Sequence, residues 1–163
     1  MNAFIDVSLQ KPRGNLIQGT RVLIGFVFLT ALFGGLVAGH KAGLIYNTFP
    51  LMDGAWLPDG MWAYPSIWQN LLENPGTIQF VHRILAMTTL GLIVSFGVYA
   101  WHREARLRPI LGVLMGLGTI QVTLGVLTLL YQVPVYLAAF HQLFAVLLFS
   151  TLVLCHERIR LSQ

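Results

Sequence analysis

Two histidines stand inside strongly apolar sequence, His82 in "TIQFVHRILAM" and His141 in "LAAFHQLFAV". The two stretches share a pattern: histidine, a polar residue, two apolar residues, alanine, an apolar residue. An ionisable side chain within a membrane-crossing segment is costly and marks a functional candidate. Three kinds of chemistry are open to such a pair. The imidazoles could act as polar glue between helices. They could pass protons, although no Asp or Glu lies inside any apolar segment to share that work. They could also ligate one haem iron from opposite sides, imidazole being a common axial ligand. Ala86 and Ala145 follow each histidine by four residues, on the same helix face, where a flat macrocycle would need room.

Positioning two such residues requires long helices. Four apolar runs reach the ~20 residues needed to cross a bilayer, near 20–39, 77–101, 109–132 and 134–155. His82 lies roughly five residues into the second run and His141 roughly seven into the fourth. At ~1.5 Å per residue the two come to similar depth. The repeated pattern suggests an all-α membrane protein, a four-helix bundle made of two related helical hairpins, with a ligand where the repeats meet. Glycines 34, 35, 39 and 43, then 112, 116, 118 and 125, keep the first and third helices slim. Of ten Lys and Arg residues, Lys11, Arg13, Arg21, Arg103, Arg106, Arg108, Arg158 and Arg160 fall on one side. By the positive-inside rule, segment 1–19 and tail 156–163 are expected in the cytoplasm and loop 40–76 outside.

Composition narrows the function classes. Hydrophobic residues make up 56% of the 163-residue chain and charged residues 10%, with a mean hydropathy of +0.71. A soluble domain carries about a quarter charged residues, so the natural partner is the lipid bilayer. The net charge of +4 does not indicate nucleic acid, because the basic residues sit at the ends of apolar runs. Cys155 is the single cysteine, which excludes an internal disulfide or zinc-thiolate site. The outer loop carries Trp56, Trp62, Trp68, Tyr46 and Tyr64, suited to an interfacial belt or a lid over a bound group. A short amphipathic helix is expected near 66–73. Lys41, Gln79, Arg83 and Gln142 lie near the outer boundary, where haem propionates would need partners. Arg83 points ~100° away from His82 around the helix. His40 sits beside Lys41 at the outer end of the first helix, and His102 and His156 are expected to be solvated at inner helix ends.

The segments "VAGHKAGLIYNTFPLMDGAWLP", "NPGTIQFVHRILA" and "QVTLGVLTLLYQVPVYLAAFHQLFAVLLF" closely resemble the haem A synthase family over roughly residues 20–155. The resemblance implies oxidation of a haem O methyl group to the formyl of haem A for cytochrome c oxidase. Most family members have two similar four-helix halves, one for the substrate haem and one for an electron-passing haem b. On that pattern His82 and His141 ligate one iron. The catalytic half carries a glutamate three residues before its first histidine, where this chain has Gln79, and this outer loop lacks the cysteine pair of many bacterial members. The chain therefore resembles the C-terminal, haem b-binding half. That implies haem b as cofactor, haem O and haem A as possible substrate and product, and a missing half supplied by another chain or a homo-oligomer. The expected location is the bacterial cytoplasmic membrane, or the mitochondrial inner membrane in a eukaryote. The alternative is a cytochrome b-type electron carrier or anchor without chemistry of its own.

Overall fold

In a computed structural model, residues 3–161 are described, with side chains from Gly14 onward. Lys11, Arg13, Ser162 and Gln163, which entered the charge and tail expectations, have side chains outside the described residues. The chain is all-helical: α1 (Ala3–Gly39), α2 (Ile67–Glu73), α3 (Pro75–Trp101), α4 (Arg108–Leu130) and α5 (Val135–Arg160). Within these, Gly14–Gly39, Pro75–Trp101, Ala105–Leu130 and Val135–Arg160 are long and apolar enough to cross a membrane. No strand occurs among the described residues.

Local chemistry explains the helix boundaries. Ser66 caps α2, its hydroxyl accepting from the Trp68 amide at 3.2 Å, so the short helix forms where the sequence suggested one. Asn74 caps α3: its Oδ1 accepts from the amides of Gly76 (3.1 Å) and Thr77 (3.3 Å), with Pro75 in the first turn. The α4–α5 turn bends through Gln132 (φ 58°) and Val133 (φ 59°). A β-branched residue in the left-handed region is strained, and Val133 is held there by its amide bond to the Thr128 carbonyl (2.7 Å).

Two helices extend past their expected ends. The run expected at 20–39 belongs to a helix that starts at Ala3, because Leu16 and Thr20 are buried in the bundle and continue its inward face. The run expected to end at 155 continues to Arg160, because Cys155 and Ile159 are buried beside Leu16 and Leu111. His156 is accordingly not a solvated helix end. It is half-buried, and its Nδ1 lies 2.7 Å from the Thr20 hydroxyl across the α1–α5 seam. His102 is exposed, as expected.

The four long helices form a ring in the order α1, α3, α4, α5, each packed on two neighbours, so α3 and α5 stand diagonally opposite. Where α1 enters and α5 leaves, the ring is filled by Leu16, Ala100, Leu107, Leu111, Cys155 and Ile159. Above them Leu23, Val27, Ile93, Leu114, Leu148 and Leu152 form a second packed layer. Nearer the long loop the packing stops, and the ring encloses a cavity.

Candidate haem site

The cavity is about 450 Å³, within the range of sites that enclose small ligands and cofactors. His82, His141, Lys41, Gln79, Arg83 and Gln142 all line it. The histidines project from the diagonal helices α3 and α5 and so reach the cavity from opposite sides.

Each histidine is held in the same way. The Nδ1 of His82 donates to the Thr30 carbonyl of α1 at 3.1 Å. The Nδ1 of His141 donates to the Gln121 carbonyl of α4, also at 3.1 Å. Because a carbonyl oxygen only accepts, these bonds put the proton on Nδ1 and leave the Nε2 lone pair available. Four residues after each carbonyl comes a glycine on the same face. A Cβ at Gly34 would lie 3.2 Å from His82 Cε1, and one at Gly125 would lie 2.9 Å from His141 Cε1. The repeated unit is thus a carbonyl, a glycine one turn later, and an imidazole from the partner helix of the hairpin. It is the arrangement found around ligating histidines, where the far ring nitrogen is fixed by a carbonyl or carboxylate.

The loop end of the cavity is polar and unevenly partnered. Gln79 Nε2 donates to the Tyr46 carbonyl at 3.1 Å, and Arg83 donates to Tyr46 (2.9 Å) and Leu51 (3.3 Å) carbonyls through its Nη atoms. Helix α3 therefore clamps the outer loop with two side chains. Gln79 Oε1, Arg83 Nε and Gln121 Oε1 remain buried without partners, each costing ~1–3 kcal/mol unless a ligand or water satisfies it. Gln121 Nε2 sits 3.5 Å from His141 Nε2, at the limit of a hydrogen bond.

The tryptophans do not cover the cavity. Trp56, Trp62 and Trp68 are 76%, 61% and 69% exposed, and none lines it. Its cap is made by Leu44 and Phe49 instead. Sequence reasoning missed Gln121 and Thr30. A glutamine inside an apolar run was a readable signal for the first, whereas a helix carbonyl leaves no mark in the sequence for the second.

The residues present fit a haem. Among the described residues no three His, Cys, Asp or Glu side chains gather to hold a bare metal ion. A porphyrin brings four nitrogens of its own and asks the protein for two. The opposed imidazoles, the small residues Ala86, Ala145, Gly34 and Gly125 on the cavity wall, and the unpaired atoms of Gln79 and Arg83 at the loop end suit a flat apolar ring with a polar edge.

Comparison with known proteins agrees in kind. Residues 5–153 match the COX15-CtaA family model, described as cytochrome oxidase assembly protein. The heme A synthase of Brucella anthropi is 44% identical over 147 residues, covering 86% of this chain and 40% of that protein. The heme A synthase of Wolbachia pipientis wMel is 40% identical over 139 residues, covering 84% of this chain and 38% of that protein. The chain thus spans about 40% of the length of these curated relatives. No solved structure matches it.

Proposed function

This chain belongs to the COX15-CtaA family of cytochrome oxidase assembly proteins, and on that footing we propose that it is the haem b-binding half of a haem A synthase, relaying electrons during haem A formation. The observation that carries this reading is the pair of diagonally opposed histidines lining one cavity, each with Nδ1 tied to a helix carbonyl, so that Nε2 keeps its lone pair, met only at His141 by the Gln121 amide at 3.5 Å. His82 and His141 would hold the iron. Lys41, Arg83, Gln79 and Gln142 would meet the propionates. Arg83 holds the loop through its Nη atoms and keeps a buried, unpartnered Nε, so it and Lys41 are the two cations for that role.

A haem held by His82 and His141 would supply a one-electron couple, which suits electron transfer. The protein's own part is to fix both rings, close the loop end with Leu44 and Phe49, and keep water from the ring. At position 79 the amide donates to the Tyr46 carbonyl, so this site lacks the carboxylate that could take a proton or stabilise a cationic centre. Oxidation of the haem O methyl is therefore assigned to a second four-helix unit that carries such a carboxylate. Bacterial relatives and four helices long and apolar enough to cross a membrane support a multi-pass protein of a bacterial membrane, and the spread of lysines and arginines supports both termini inside and the aromatic loop outside.

The test is production of the chain in a host that makes haem O but lacks haem A-forming activity. Extracted membranes should contain b-type haem and no haem A. Haem A formed by this chain alone would overturn the relay assignment.

A further inference from the structure

The cavity is shut on two sides and open on a third. At the loop end, Asn47 Nδ2 donates to the Gly43 (2.8 Å) and Leu129 (2.9 Å) carbonyls, tying the loop to α4. The Gln79 and Arg83 clamps hold the same loop to α3. At the opposite end, Val27, Ile93 and Leu148 form the floor and belong to the packed second layer. Neither water-facing end offers a way in for a rigid macrocycle.

The seam between α1 and α5 is different. Near the termini it is fastened by the Thr20–His156 contact at 2.7 Å, and no other side-chain hydrogen bond crosses it among the described residues. Higher up, the α1 residues at the cavity wall shrink to Ala31, Gly35 and Ala38, all exposed on the bundle surface. A second groove of about 230 Å³ runs along the outside of this seam, with Phe28, Val146 and Phe149 as its outer wall. It shares Val27, Ala31, Gln142 and Ala145 with the main cavity. Above Val27, which belongs to the floor, small side chains and one amide separate the cavity from the surface that faces lipid. Gln142 is exposed there and makes no side-chain hydrogen bond among the described residues, an unfavourable state in hydrocarbon unless something polar meets it.

We propose that the α1–α5 seam is a side door by which a membrane-dissolved porphyrin reaches the histidine pair edge-first, with Gln142 meeting its polar rim. The proposal rests on the haem reading above. The driving force is the partition of an apolar ring in the bilayer, and the fastened inner end lets the outer half of the seam part without unpacking the core.

The experiment uses the full chain, apo, in lipid vesicles, with haem b added to the lipid and uptake followed by absorbance. Ala31→Cys is labelled after folding with a bulky maleimide; Cys155 is fully buried and does not compete. The labelled protein should load haem roughly tenfold more slowly than the unlabelled variant, as expected when a binding path is obstructed. The same label on Val113→Cys, exposed on α4 and remote from both cavities, should leave the rate unchanged. Protein loaded first and labelled afterwards should keep its spectrum. Equal uptake with and without the Ala31 label overturns the door, and so does a label that strips haem from preloaded protein. A wild-type chain that never acquires a haem spectrum overturns the haem reading itself, and the door with it.

Discussion

At the scale of residues, the site depends on two imidazoles whose orientation is imposed by their neighbours. Gly125 is the tighter of the two glycines, since a Cβ there would sit 2.9 Å from His141 Cε1 against 3.2 Å at the Gly34–His82 contact. Real Cβ contacts are almost never that short, and the ring must turn off its carbonyl. Gly125→Ala is therefore expected to weaken the His141 ligand and raise the high-spin share of the haem spectrum, with Gly34→Ala giving a smaller change. A Gly125→Ala protein with a wild-type spectrum would mean that the ring is not held this tightly. His82 and His141 were legible in the sequence as histidines inside apolar runs, and Gln79, Arg83, Gln142 and Lys41 as polar residues near the outer boundary, and the fold brings all six to one cavity. The carbonyls of Thr30 and Gln121 were not legible, because every helical residue has one and only tertiary packing selects which is used.

At the scale of elements, each span reads clearly from length and hydropathy, but the inward face of each helix does not. Lipid and protein interior are both apolar, so the pattern that marks a buried stripe in a soluble helix is absent here. The ends also escaped the sequence. The inward face of α1 continues below residue 20 through Leu16, and α5 runs on through Ile159, because tertiary burial outweighs the polarity of their neighbours. The start of α3, by contrast, is written locally in "NPGT". Asn74 satisfies two amides of the first turn, and its Nδ2 donates to the Gly60 carbonyl at 2.8 Å. Loss of such a cap costs about 1–2 kcal/mol, so Asn74→Ala should lower the thermal midpoint in detergent and loosen the loop above the site. A midpoint equal to wild type, with unchanged proteolysis of residues 56–66, would show that the cap carries no stability.

At the scale of the whole molecule, a ring of four helices is packed at one end and hollow at the other, with the histidine pair bridging the hollow. The orientation proposed from the charge pattern of the sequence predicts a labelling result. Trp62→Cys should react with a membrane-impermeant maleimide in intact cells, while Arg103→Cys should react only after permeabilisation; the reverse pattern would invert the bundle. The hollow itself could not be foreseen from periodicity, because it arises where small residues of α1 and α4 face small residues of α3 and α5. The central claim is that this hollow holds one haem between His82 and His141. It is tested most directly by absorption spectra of the detergent-purified chain, oxidised and reduced, beside His82→Ala and His141→Ala. A low-spin b-type spectrum in the wild type, lost or turned high-spin in each variant, is the predicted result. A colourless wild-type protein from cells well supplied with haem, or a spectrum indifferent to both substitutions, would contradict it.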